Sequence, residues 1–160
     1  MPGIEAIDTL QRFGTLNIRT ASPADTDAVA AMLTAYATEI TGEFPLQSQA
    51  VYCLAVSLCH QRTGLCFVLP DNEGRPVGMV TLQDSPREPW DSSLTVILGR
   101  LYIYPDCRGL RAVASLLLAG VKAAKLAGAS RLWGKVESGP RRFYSRFTHT
   151  ISVQELELDQ

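Results

Sequence analysis

One continuous run, from Leu101 to Leu118, constrains the fold of this chain most. It reads Leu-Tyr-Ile-Tyr-Pro-Asp-Cys-Arg-Gly-Leu-Arg-Ala-Val-Ala-Ser-Leu-Leu-Leu, which predicts a strand, a tight Arg-Gly turn and an apolar helix. The first N–H groups of such a helix have no partner within it and lie at the positive end of its dipole. The run therefore predicts an anion site, and a pyrophosphate would suit it.

The side chains at this turn fit the same interpretation. Small residues at Gly109, Ala112 and Ala114 let a bulky anion approach the backbone, and Arg108 and Arg111 add positive charge beside it. Positive side chains at a helix start oppose the helix dipole. A bound anion therefore explains the two arginines better than a solvated surface does.

Composition limits the class of protein. The 160 residues are 46% hydrophobic and 19% charged, which is typical of a globular domain, and we expect a single domain over 1–160 with 1–14 as an N-terminal arm. The net charge of -1 gives no electrostatic reason to expect nucleic acid or a membrane surface as a partner. The four cysteines include no C-x-x-C pair, so we expect no metal. A cytoplasmic location is the simplest expectation.

Hydrophobic periodicity and turn signals divide the chain into ten elements, in the order β-α-α-β-β-β-α-β-α-β. This order predicts an α/β (α+β) fold: a mixed sheet with helices on both faces and locally parallel strands near its middle. The predicted elements are strand Thr15–Arg19, helix Pro23–Ile40, helix Leu46–Gln61, strand Leu65–Leu69, strand Pro76–Gln83, strand Leu94–Tyr104, helix Arg111–Ala127, strand Leu132–Val136, a short helix ending at Ser145, and strand Ile151–Leu158.

Two segments carry a resemblance to a known family. The first is Leu101-Tyr102-Ile103-x-Pro105-x-x-Arg108-Gly109 with its helix; the second is Gly128-Ala129, a strand, and Arg142-Phe143-Tyr144. In this order they resemble motifs of the GNAT superfamily of acyl-CoA-dependent N-acyltransferases, and the resemblance spans Leu16 to the C-terminus. Arg111 either stands where that pattern has a glycine or is a one-residue insertion. We favour the insertion, because it keeps the helix leucines in phase.

The resemblance implies a mostly antiparallel sheet in which two central parallel strands splay into a V that holds acetyl-CoA, the cosubstrate. The pantetheine would pair with the backbone of Leu101 to Ile103, and the pyrophosphate would lie on N–H groups between Arg108 and Ala114. The implied cofactor-binding residues are Leu101, Tyr102, Ile103, Arg108, Gly109, Leu110, Arg111, Ala112, Val113, Ala114 and Tyr144.

The resemblance also implies direct attack of an amine on the thioester, with Tyr144 protonating the leaving thiolate. Relatives often carry a glutamate on the strand before the Leu-Tyr-Ile segment, but Leu98, Gly99 and Arg100 stand there in this chain. A water chain could accept the amine proton instead. The candidate bases are Asp84, Glu137, Glu39 and Glu43.

The acceptor is predicted to be a primary amine on a small molecule or a peptide. Its pocket is expected from segments 41–47, 84–91 and 147–150. The missing strand carboxylate and the altered glycine turn keep a second hypothesis open: a CoA-binding or protein-interaction module on the same fold, with weak or no turnover. The last strand and the N-terminal arm are possible homodimer surfaces.

Overall fold

The computed structural model describes residues 8, 10–41, 48–84, 90, 94–134 and 156–157. These residues form one six-stranded sheet with helices packed against it. The elements are β1 (Arg19–Thr20), a 3-10 turn (Pro23–Asp25), α1 (Thr26–Thr41), α2 (Ser48–Cys59), β2 (Leu65–Pro70), β3 (Pro76–Asp84), β4 (Thr95–Ile103), a second 3-10 turn (Pro105–Cys107), α3 (Leu110–Leu126), β5 (Arg131–Gly134) and β6 (Leu156–Glu157).

The strands lie in the order β1-β2-β3-β4-β5-β6, and only β4 and β5 run parallel to each other. Their pairing extends from Thr95 opposite Arg131 to Leu98 opposite Gly134. Since β4 continues to Ile103, its last five residues lie beyond that pairing, and within the described ranges no strand covers this edge. The predicted mixed, mostly antiparallel sheet is confirmed.

The two faces of the sheet are both buried, each by different helices. Leu98, Leu101 and Ile103 of β4 belong to the core beneath α3. Tyr102, on the opposite face, joins the core formed with α1 and α2. Successive strand residues point to opposite faces, so each strand contributes to both cores. Helices on both faces of the sheet are therefore confirmed.

The first strand is shorter than predicted. Only Arg19 and Thr20 pair with β2, and the predicted strand residues from Thr15 onward are outside the ladder. The backbone N–H of Leu16 instead donates to the hydroxyl of Ser115 on α3, at 3.0 Å. The alternating pattern predicted a strand, but the Leu16 N–H bonds a side chain of α3 and not a neighbouring strand.

The N-terminal arm packs into the domain. Residues 10–13 are helical, and Leu10 is buried in the core beneath α3. The predicted short helix ending at Ser145 lies outside the described residues, and only Leu156–Glu157 of the predicted last strand lie within them. Among the described helices, none is both long and apolar enough to cross a membrane.

Candidate functional site

A β-bulge interrupts β4 just before its free edge. The register with β3 shifts by one residue between Met79 and Thr81, and Arg100 adopts a left-handed backbone with φ 44°. The extra residue reverses the alternation of side chains, which is why Leu98 and Leu101 face the same core. The sequence analysis missed this bulge. Its signal was the glycine inside the strand, Gly99, together with the break in apolar alternation.

Side chains of β3 hold the bulge in place. The Thr81 hydroxyl donates to the Gly99 carbonyl at 3.0 Å, and Thr81 is buried. The Arg100 guanidinium donates to Oε1 of Gln83 at 2.9 Å. The Gly99 carbonyl thus accepts a side-chain hydrogen bond from the neighbouring strand, which stabilises the backbone at the bulge.

The turn after β4 leads directly into α3. The Cys107 N–H donates to the Tyr104 carbonyl at 2.8 Å, and Gly109 is the N-cap residue, with no side-chain cap. The first helical bond runs from the Val113 N–H to the Gly109 carbonyl, at 3.1 Å. In the part of the chain that the structure describes, the N–H groups of the three residues between them, 110–112, meet no backbone or side-chain acceptor.

The space beside Gly109 is open in the part of the chain that the structure describes, since a Cβ added there would meet no atom within 4 Å. Leu110 and Arg111 are exposed, whereas Ala112, Val113 and Ala114 turn their side chains into the core. What the start of α3 offers to a ligand is therefore mainly backbone, which suits an anion.

The predicted cofactor-binding residues from Leu101 to Ile103 and from Arg108 to Ala114 lie together at one end of the sheet. The side chains of Leu101, Tyr102 and Ile103 are buried, so this strand offers only its backbone edge. Within the predicted set of phosphate-binding N–H groups, those of Arg108 and Val113 already donate to the carbonyls of Pro105 and Gly109. The N–H groups of Gly109 and of 110–112 have no acceptor among the described residues.

The two arginines of the turn differ in their surroundings. The Arg108 side chain is only 10% exposed; its Nε donates to the Ile103 carbonyl at 2.7 Å, and its Nη2 donates to the Glu39 carboxylate on α1. Its guanidinium carbon lies 5.5 Å from the centre of the Tyr102 ring. Arg111 is exposed and, among the described residues, its side chain makes no hydrogen bond or ion pair.

The Tyr102 ring contacts both the Arg108 guanidinium and the Tyr104 ring. Its ring meets that of Tyr104 edge to face, with centroids 5.5 Å apart. Burial, and to a smaller extent the Glu39 carboxylate, raise the pKa of the Tyr102 hydroxyl, so it stays protonated in the physiological range. Glu39, one of the predicted bases, is thus committed to an ion pair beside the turn.

The remaining predicted catalytic residues are not brought to this turn within the described part of the chain. Asp84 pairs with Val96, seven residues before Ile103, which is roughly 23 Å along a strand. It lines a separate open cavity of about 490 Å³, together with Arg62, Leu82 and Ala123 among others. Tyr144, Glu137 and Glu43 lie outside the described residues.

Metal ligands are not grouped in the described ranges: no cluster of three or more His, Cys, Asp and Glu could hold an ion there. Among the described residues, the site consists of a bulged strand whose last edge is unpaired, a turn, and a helix start whose N–H groups at 110–112 have no acceptor. Such an arrangement can hold an extended chain that ends in a pyrophosphate: the chain pairs with the strand, and the phosphates meet the helix start.

Comparison with known proteins finds a matching family and structures with a similar fold. A family model described as the acetyltransferase (GNAT) family matches residues 29–147. A ribosomal-protein-alanine N-acetyltransferase from Brucella melitensis biovar Abortus 2308 is 19% identical, with a TM-score of 0.65 over 86% of this chain and 92% of that one. No curated protein matches the chain at a significant level.

Two further similar structures are complexes with acetyl-CoA or CoA. A predicted acetyltransferase with acetyl-CoA from Clostridium acetobutylicum is 13% identical, with a TM-score of 0.68 over 89% of this chain and 95% of that chain. An aminoglycoside N-acetyltransferase in complex with CoA is 14% identical, with a TM-score of 0.60 over 90% and 91% of the two chains. At these identities the likeness concerns the fold, and it agrees with the predicted architecture.

Proposed function

Because this chain belongs to the acetyltransferase (GNAT) family, we propose that it transfers an acetyl group from acetyl-CoA to a primary amine. One observation carries the proposal: the unpaired edge of β4 leads directly to the three unpartnered N–H groups of 110–112. A nucleotide thioester with a long amide-containing arm and a pyrophosphate has the two features that such a site accommodates. The complexes of two fold neighbours with acetyl-CoA and CoA support the same donor.

In the proposed complex the pantetheine amides pair with the backbone edge of β4 between Leu101 and Ile103. The pyrophosphate accepts hydrogen bonds from the N–H groups of Leu110, Arg111 and Ala112, where the helix dipole also favours negative charge. The exposed Arg111 side chain adds a cation beside them. The side chains of Leu101, Tyr102 and Ile103 are buried in the cores on the two faces of the sheet, and this anchoring favours a fixed position for the donor.

The chemical step is an acyl transfer. The amine nitrogen forms a bond to the thioester carbonyl carbon, the carbon–sulfur bond breaks, and its electron pair goes to the sulfur. A base removes one proton from the amine nitrogen, and an acid protonates the thiolate. We assign the acid to Tyr144 and keep Glu137, Asp84 and a water chain as the possible proton acceptors.

Two measurements test this function. Calorimetry and thermal unfolding with acetyl-CoA come first, because a specific ligand in excess stabilises a fold measurably. Mass spectrometry of products from a pool of amines and peptides then tests turnover and names the acceptor. Absence of both binding and stabilisation would contradict the proposal. Tyr144→Phe should lower kcat and leave acetyl-CoA binding unchanged.

A second candidate function is a CoA-binding module with weak or no turnover. Two observations favour it: β4 carries no carboxylate from Thr95 to Ile103, and Asp84 lies far along the sheet from the turn. Tight acetyl-CoA binding, without acetylation of any amine in a broad panel, would support this candidate against the first. A homodimer and a cytoplasmic location stay predictions.

A further inference from the structure

We infer that Arg108 is a positioning residue: through Glu39 it clamps α1 to the donor turn and holds the helix start in its ligand-binding geometry. The inference rests on the proposed function, since the turn that it positions is the one proposed for the CoA pyrophosphate. An arginine at this position of a phosphate turn would ordinarily be interpreted as a direct phosphate ligand. The structure favours a different role.

The contacts of Arg108 join three elements. Its Nε donates a hydrogen bond of 2.7 Å to the carbonyl of Ile103, the last residue of β4. Its Nη2 holds the Glu39 carboxylate, 69 residues away on α1. Its guanidinium lies over the Tyr102 ring, which packs in the core with α1 and α2. A guanidinium is suited to this because its planar fork binds several acceptors in fixed directions.

Because of its position in the chain, Arg108 can fix the backbone of the turn just before α3. Arg108 directly precedes the N-cap Gly109, whose backbone is extended and which has no capping side chain. The contacts of Arg108 with Ile103 and Glu39 therefore hold the residue that leads into the helix start, while the Ser115 hydroxyl donates to the Arg111 carbonyl within α3. The side chain of Arg108 is 10% exposed and that of Glu39 is 29% exposed, so water reaches this ion pair mainly from the Glu39 side.

The clamp and the direct-ligand interpretation predict opposite effects of one substitution on the affinity for CoA. Glu39→Gln removes a negative charge near the proposed phosphate site and releases the guanidinium. If Arg108 were a phosphate ligand, this change would tighten CoA binding, because a competing carboxylate is gone. If Arg108 is a clamp, the change loosens the turn and weakens CoA binding despite the more favourable charge.

The experiment is a double-mutant cycle on CoA affinity, measured by calorimetry with CoA itself. We expect Glu39→Gln and Arg108→Gln each to weaken CoA binding by about 5- to 30-fold, and the double variant to be no weaker than the stronger single variant. Arg108→Lys, which keeps the charge and loses the fork, should also bind CoA more weakly. Glu73→Gln, in the exposed β2–β3 turn, is the matched control and should bind as the wild type does.

Arg111→Gln separates positioning from direct contact. Its loss of CoA affinity should add to that of Glu39→Gln, since the proposed contact of Arg111 with the phosphates does not depend on the Arg108–Glu39 ion pair. Tighter or unchanged CoA binding by Glu39→Gln, or near-wild-type binding by Arg108→Lys, would overturn the clamp and leave the proposed function standing. A wild-type protein that fails to bind CoA would overturn both. Glu39→Gln changes a partly exposed helical side chain, so it tests the clamp even if Arg108→Gln does not fold.

Discussion

Arg19 and Asp25 form a two-pronged ion pair that ties β1 to the start of α1. Nη1 of Arg19 lies 2.6 Å from Oδ2 of Asp25, and Nη2 lies 3.0 Å from Oδ1. The Asp25 carboxylate also accepts the backbone N–H of Ser22 at 2.8 Å, and its side chain is only 9% exposed. The Arg19 hydrogen bonds, followed by those from Ser22, lower the pKa of Asp25 to about 2.

This pair predicts an acid-dependent loss of stability. The pKa of Asp25 is lower in the folded protein than in the unfolded chain, so its contribution is fully present above pH 3.8 and is lost as the pH falls toward 2. Denaturant unfolding between pH 2 and pH 6 should show a loss of about 2 kcal/mol from this group. Asp25→Asn should remove that part of the pH dependence.

The matched control is Asp27→Asn, an exposed acid in the first turn of α1. We expect this variant to keep the wild-type decline in stability between pH 4 and pH 2. An Asp25→Asn protein with the same decline as the wild type would show that other groups control acid unfolding.

Gly120 on α3 permits close packing against β4. A Cβ added there would lie 2.3 Å from Cδ1 of Leu98, a side chain that is 2% exposed and has little room to move. We expect Gly120→Ala to lower the free energy of unfolding by about 1–3 kcal/mol in urea titrations. Adding Leu98→Val should recover part of this loss. A Gly120→Ala protein as stable as the wild type would contradict the packing described here.

Thr81 is expected to stabilise the bulge. Thr81→Val keeps the side-chain shape but leaves the Gly99 carbonyl without its 3.0 Å hydrogen bond, at a cost of about 1–3 kcal/mol in the free energy of unfolding. Thr34→Val removes a similar bond to a backbone carbonyl on the exposed side of α1 and should cost less. Equal losses in the two variants would mean that the bulge does not depend on this hydroxyl.

Leu110→Pro tests the proposed role of the backbone donors directly. Leu110 is the first residue of α3, where proline is well tolerated, and Gly109 before it is already extended, as a residue preceding proline must be. The variant should fold with near-wild-type thermal stability and bind CoA about tenfold more weakly, because one N–H donor to the phosphates is gone. Leu110→Ala keeps that N–H and should bind normally. Wild-type affinity in Leu110→Pro would remove this N–H from the site.

Several elements of the fold depend only on residues that are close in sequence. The strand before Pro105, the helix over Leu110–Leu126 and the hairpin of β2 and β3 were all predicted within about one residue of their observed ends, because each depends on periodicity and turn residues. The strand predicted from Thr15 was wrong over most of its length. Its alternation was real, but a hydroxyl on α3, distant in sequence, took the Leu16 N–H.

The sequence by itself determined that unpartnered N–H groups would follow the Arg108-Gly109 turn, because the first N–H groups of any helix have no partner within it. Only the tertiary structure decided what Arg108 contacts. Its partner Glu39 lies 69 residues away, and no local pattern encodes that distance. The same holds for the bulge at Gly99, whose carbonyl is satisfied by Thr81 on the neighbouring strand. Local backbone preferences created the donors, whereas long-range side-chain contacts fixed the geometry in which they are presented.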